Sequence, residues 1–155
     1  MIEALKGFIN LLQSNISLDE DLVLNKNDKY FLVNEDLKKI VSADFYYAGV
    51  YLGKTENNQF YPSFILLQMI AKTNSNKVTI DKKTEWLFIC GRDIFKQGIT
   101  QALGSKKKGD YVLVMNQHNE CLGFGKILQD LNDEAEGVVI ENSLDIGDFL
   151  RREKR

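Results

Sequence analysis

The side chains that could do chemistry in this chain are few and scattered. One histidine, His118, and two cysteines, Cys90 and Cys121, are all it offers as soft metal ligand, thiol nucleophile or neutral-pH base. The cysteines lie far apart and form no Cys-x-x-Cys pair, so a zinc cage of nitrogen and sulfur has too few ligands. They read as reduced, partly buried thiols rather than a disulfide. His118 falls within residues 116–120, whose composition is that of a hairpin turn, and a solvated turn histidine suits that place better than a catalytic base. Gly98 and Gly104 lie six apart, but no Lys-Ser or Lys-Thr follows to complete a phosphate-binding loop. Gly123-Phe124-Gly125 has Leu128 where a dinucleotide fingerprint needs its third glycine, and it lies inside a strand-like run. The carboxylates gather at residues 19–21 and 130–136, where they read as solvated charge, although an acid–base carboxylate pair stays open on these grounds.

What remains is cationic. Arg151-Arg152-Glu153-Lys154-Arg155 sets four cations against one acidic side chain. Arginine guanidinium groups match phosphate oxygens in pairs and lysine supplies point charges. A basic cluster at the end of a short helix is also what the helix dipole favours, so RNA contact and simple capping both stand. Lys106, Lys107 and Lys108 form a second cluster, read as a solvated loop, and Lys82 and Lys83 a third. The net charge of −2 gives the molecule no general attraction to nucleic acid. Any such site must come from local asymmetry. At 44% hydrophobic and 27% charged, the 155 residues have the make-up of a water-soluble globular protein of one domain or two small ones. The opening stretch has an acidic residue where a secretory leader needs basic ones, and the longest apolar run, residues 64–67, is too short to span a bilayer. A cytoplasmic protein without a membrane partner is expected.

The elements that must position these residues fall into two groups. Apolar positions Ile2, Leu5, Phe8, Ile9 and Leu12 predict a helix over 2–14. Short strands at 22–24 and 30–33 flank a turn. Asn34 caps a helix reaching about residue 43. Residues 45–52, aromatic on both faces, predict a central strand. A return strand at 59–61 stops at Pro62, Ser63 caps a third helix, and residues 73–76 read as a linker. Beyond it strands are expected at 77–80, 86–90, 111–115, 121–128 and 137–140. Short helices are expected at 92–96 and at 146–152, the latter capped by Asp145. Trp86 reads as core or domain-interface packing rather than a base-stacking platform. The fold class is α+β: an N-terminal α/β domain over 1–75, with an antiparallel sheet and three helices, then a β-barrel-like domain over 76–155.

Three stretches carry a resemblance: residues 86–98 (WLFICGRDIFKQG), residues 122–125 (LGFG) and residues 145–151 (DIGDFLR). With Lys77-Val78-Thr79-Ile80 and Gly109-Asp110-Tyr111-Val112, the chain resembles the PUA domain, a small RNA-binding barrel. More closely it resembles the archaeal-type Nip-seven family of large-subunit ribosome biogenesis proteins over nearly its whole length. The resemblance implies a non-catalytic factor that binds pre-rRNA, or another precursor of the large subunit, and meets other assembly factors. It implies no catalytic residue, metal, cofactor or small-molecule substrate. It places RNA contacts on a basic PUA surface at Arg151, Arg152, Lys154 and Arg155, with Arg92 and Lys96 on the first PUA helix, and Lys126, as further candidates. Gly91, Gly123 and Gly125 would allow close approach of strands or RNA. The charge of residues 77–155 is balanced, 13 basic against 13 acidic side chains, so the RNA face must be narrow. Two other readings are an accessory subunit of an RNA-modifying enzyme and an adaptor whose N-terminal half docks other assembly factors. Residues 1–76 are too few for a methyltransferase or pseudouridine synthase core.

Overall fold

The computed structural model describes residues 2–152. Its first helix, α1 (Glu3–Leu11), buries Leu5, Phe8 and Ile9, as their spacing requires. Strands β1 (Val23–Lys26) and β2 (Lys29–Leu32) form a hairpin turning on Asn27 and Asp28, both at positive φ. Asn57 and Asn58 make the same turn between β3 (Val50–Glu56) and β4 (Gln59–Pro62). Two successive left-handed residues match the twist of the flanking strands, and asparagine and aspartate tolerate that conformation. Asn34 caps α2 (Glu35–Ile40) by accepting from Leu37 N at 2.8 Å. Ser63 caps α3 (Phe64–Ala71), accepting from Leu66 N while donating to Tyr51 O.

These strands form an antiparallel sheet in the order β1-β2-β3-β4. Its inner face meets α1 and α3 in a core that includes Leu5, Phe8, Leu12, Tyr30, Leu52, Leu66, Leu67 and Ile70. The expected central strand over 45–52 begins only at Val50, because residues 41–49 form a loop. Phe45 and Tyr47 reach back from that loop to the outer face of the sheet, where each stacks edge-on against Phe31.

The second sheet has the order β6-β10-β9-β8-β5-β7. Its strands are β5 (Lys77–Ile80), β6 (Ile94–Phe95), β7 (Ile99–Leu103), β8 (Tyr111–Met115), β9 (Cys121–Ile127) and β10 (Val138–Asp145). Among the described residues only the β5–β8 pair is parallel. In β8 the side chains alternate between two cores. Leu113 and Met115 join the first, and Val112 and Val114 join the second with Val78, Ile80, Phe88 and Ile94. Burial on both faces accounts for the uninterrupted apolar run in this strand.

The structure departs from the sequence expectations at five points. Residues 86–90 are not a strand: α4 spans Lys82–Ile89, capped by Asp81, which accepts from Thr84 N at 2.7 Å. Thr84 and Phe88, one helical turn apart, face inward, and Trp86 stands 66% exposed rather than in a core. Residues 92–96 form no helix; Ile94 and Phe95 make the edge strand β6 and Lys96–Gly98 a 3-10 turn. Asp145 ends β10 instead of capping α5 (Gly147–Arg152). Residues 73–76 are no free linker. Asn15 N donates to Asn74 O and Asn76 N to Leu12 O, and Asn76 is buried. The thiols also differ: Cys90 is exposed and Cys121 buried, and neither is bonded to the other. Among the described residues no helix is long and apolar enough to cross a membrane.

Candidate nucleic-acid interface

Three arginines and three aspartates gather where α4 ends, β10 ends and α5 begins. Arg151 occupies the centre of this corner. Its Nη2 donates to both carboxylate oxygens of Asp145, at 2.8 and 3.1 Å, and its Nη1 donates to Ile89 O at 2.7 Å. Asp145 is 3% exposed and accepts a further bond from Asn142 Nδ2. The Ile89 carbonyl is one of the unpaired acceptors that close a helix, so one guanidinium serves a buried carboxylate and a helix C-terminus together. Hydrogen bonding to Asp145 raises the Arg151 pKa further above its ordinary value, and Asp148 adds to it. Gly147 gives Arg151 its room, since a Cβ there would lie 1.9 Å from Ile89 O and 2.9 Å from Arg151 Nη1. Gly91 lies beside the same guanidinium at φ +92, with its Cβ position 3.3 Å from Nη2. It makes way for Arg151 rather than for a ligand. Gly123, at φ +151, makes way for a strand, because a Cβ would meet Leu144 O at 1.9 Å where β9 and β10 shift register.

The expected site residues therefore divide. Arg152 pairs with Asp148 at 2.7 Å and keeps a largely exposed side chain. Arg92 follows Gly91 at this corner, is exposed, and has no acidic partner among the described residues. Arg92 is the neighbour of Gly91, which lies beside the Arg151 guanidinium, and Arg152 follows Arg151; Asp93, Asp145 and Asp148 are the acids of the same segments. Lys96 does not join them. Its ammonium donates to the carbonyls of Leu131 and Asp133 and so ties down the loop before β10. It lies in the 3-10 turn after β6, and Arg92 in the turn after α4, so neither is on a PUA helix. Lys126 lies on β9 with its ammonium 5.9 Å from the centre of the Tyr111 ring. Lys154 and Arg155 fall outside the described residues.

Elsewhere, Trp86, Ile89, His118 and Glu120 line a cleft of about 370 Å³ between α4 and the β8–β9 turn. Its polar groups are tied to one another, since Asn116 Nδ2 donates to Glu85 and Glu120. Sequence reasoning missed this opening because it placed Trp86 in a strand. No group of three or more potential metal-ligating side chains occurs among the described residues.

A curled sheet with one parallel pair, a helix between its first two strands in sequence and a short helix after its last strand defines a PUA-type module, here packed on a smaller α/β layer. The family model described as the UPF0113 PUA domain matches residues 76–154, and the chain belongs to that family. A UPF0113 protein of Archaeoglobus fulgidus is 28% identical over 113 residues, 70% of this chain and 64% of that protein. This chain therefore aligns with under two thirds of that relative's length. The 60S ribosome subunit biogenesis protein NIP7 homologue of Sus scrofa is 26% identical over 137 residues, 83% of this chain and 76% of that protein. Among solved structures, a conserved PUA domain protein from Thermoplasma acidophilum has the same fold, with a TM-score of 0.64 at 21% identity over 97% of this chain and 93% of that one. A PUA domain from Aeropyrum pernix gives 0.62 at 15% identity, over 97% and 85%.

Proposed function

We propose that this chain is a non-catalytic RNA-binding factor in pre-rRNA processing and assembly of the large ribosomal subunit, acting in the cytoplasm with other assembly factors. The PUA family membership and the likeness to a protein named for 60S biogenesis support it. The observation that carries the RNA contact is the corner where Arg92 and Arg152 stand exposed around the fixed guanidinium of Arg151. Arg151, with Asp145, orders the corner, and Arg92 and Arg152 meet phosphates, joined by Lys154, Arg155 and Lys126. Lys96 serves the fold. Residues 1–75 form the α/β domain and 76–155 the PUA domain. Fluorescence anisotropy with labelled single-stranded RNA tests the assignment. Arg92→Ala with Arg152→Ala weakens binding, and undiminished binding by this double variant would remove the corner from the interface.

A further inference from the structure

The outer face of the four-stranded sheet carries a second constellation that the PUA half does not explain. Strand register places Lys26 opposite Lys29, Lys29 opposite Lys54, and Lys54 opposite Tyr61. Residues directly opposite one another project from the same face, so three lysines and a tyrosine form one row across all four strands. The row is about 14 Å long at the usual strand spacing. It lies on the face away from α1 and α3, for its neighbour Tyr30 points into their core.

Beside this row the loop of residues 41–49 lays three aromatic rings. Phe45 and Tyr47 pack on Phe31, which Tyr51 also touches. Tyr46 is 90% exposed and Tyr47 57% exposed. The lysines sit over rings: Lys26 Nζ is 5.0 Å from the centre of Phe45, Lys29 5.9 Å from Tyr46, and Lys54 5.9 Å from Tyr61. Two acids share the face. Asp44, itself fully exposed, pairs with the part-buried Lys26, and Glu56 pairs with Lys54 with both side chains exposed, while Lys29 has no acidic partner among the described residues. Asp28 lies in the adjoining turn. An exposed pair such as that of Lys54 with Glu56 holds its partners weakly and exchanges readily for a phosphate. The charge of Arg152 on α5 is felt, as the weakest of several influences, at Lys54 and Glu56.

We propose that this outer sheet face is a second RNA-binding surface, on which Tyr46 and Tyr47 stack bases of a single strand and Lys26, Lys29 and Lys54 meet its phosphates. The inference extends the RNA-binding reading above to the N-terminal half and rests on it. Charge complementarity selects the occupant. A sequence-tolerant single-strand surface combines stacking rings with a cationic track, and both are present at contact distance. A face meant for an apolar protein partner would not set an ammonium over each of three rings.

The test uses the full chain and a fluorescein-labelled single-stranded oligouridylate long enough to span both faces, titrated over a salt series. Tyr46→Ala is expected to weaken binding about fivefold or more, the lower end for one stacked base, without changing the salt slope. Tyr46→Phe keeps the ring and restores affinity. Lys29→Glu weakens binding and flattens the log–log salt slope by about 0.7 or more. Ultraviolet crosslinking with mass spectrometry then finds an adduct on Tyr46 or Tyr47. Both positions are exposed, and unchanged melting temperatures verify that the variants fold. Parent-like binding by Tyr46→Ala and Lys29→Glu, with adducts only beyond residue 81, overturns the inference and leaves this face to a protein. A loss in Lys29→Glu alone overturns the stacking role. In both cases weakened binding by Arg92→Ala with Arg152→Ala shows that the proposed function survives. A parent chain that binds no RNA at any salt sinks both.

Discussion

The division of the cations around α5 makes a quantitative prediction about salt. Each phosphate contact on a single strand adds about 0.7 to the fall of log affinity with log salt. Among the described residues Arg92 and Lys126 have no carboxylate partner, and Arg152 pairs with the part-buried Asp148 while its own side chain stays largely exposed. Replacing all three by alanine should therefore flatten the slope by about 2. Lys96 offers no such change, because its ammonium is spent on the carbonyls of Leu131 and Asp133. Lys96→Ala should leave the slope within error and instead loosen the loop around residue 131. Anisotropy titrations between about 50 and 200 mM salt resolve a difference of this size. With five PUA-half cations on phosphates the parent slope should lie at about −3.5, and at about −5 to −6 if Lys26, Lys29 and Lys54 engage the same strand. The reasoning fails if Lys96→Ala costs as much slope as Arg152→Ala, or if the triple variant keeps the parent slope.

Arg151 should behave as a structural residue. Arg151→Lys keeps the charge but cannot span Asp145 and the Ile89 carbonyl at once, so the melting temperature should fall with the salt slope unchanged; parent-like melting would refute this. Burial pushes the Cys121 thiol up from its ordinary value of 9.0 to about 11, whereas Cys90 is exposed. A thiol reagent at pH 8 should modify Cys90 at once and Cys121 only on unfolding. The sign of the linkage follows. Below about pH 9 the thiol is protonated in both states, and its stabilising contribution is full. Between about pH 9 and 11 the unfolded thiol ionises while the folded one does not, so stability falls by about 1.4 kcal/mol per pH unit, about 2.7 in all. Urea unfolding at stepped pH should show that loss in the parent and not in Cys121→Ala.

Local signals were legible where one residue type settles a backbone conformation. Asn34 and Ser63 announce α2 and α3 because their side chains supply the acceptor that a helix start lacks. The paired asparagine and aspartate turns announce both hairpins. Residues 86–90 misled because five apolar residues are too few to reveal a period. The deciding signal was Asp81, a cap five residues upstream of Trp86. Residues 45–47 misled for another reason. Aromatic residues favour strands in general, but here they cover Phe31 from outside the sheet, a contact set by tertiary structure. At the candidate site the cations are plain in the sequence. What is not plain is which are already satisfied. The partners of Arg151 are a carboxylate at a strand end and a carbonyl 62 residues away. Lys96 is held by carbonyls beyond residue 130. Backbone acceptors carry no mark in the sequence, so charge alone does not tell a held cation from an unheld one.

The two halves also differ from two independent domains in a way that can be measured. Leu113, Met115 and Cys121 belong to the second sheet, yet they are buried in the first core against α1 and α3. A fragment of residues 76–155 would turn Leu113, now fully buried, and Met115, now 5% exposed, toward water. At about 1.5–3 kcal/mol for each large apolar side chain, these two alone would cost about 3–6 kcal/mol. That is a large share of the 5–15 kcal/mol typical of a whole domain. The fragment would also lose the Leu12 carbonyl that Asn76 N now uses. It should bind a hydrophobic dye, and its urea midpoint should lie well below that of the full chain. Leu113→Thr with Met115→Thr in the fragment should reduce dye binding, whereas the same pair in the full chain should destabilise. A fragment that unfolds cooperatively at the full chain's midpoint would show that the shared core is not needed. As built, the α/β layer is the cover of the PUA sheet, and an RNA spanning from α5 to Lys54 would run along one continuous body.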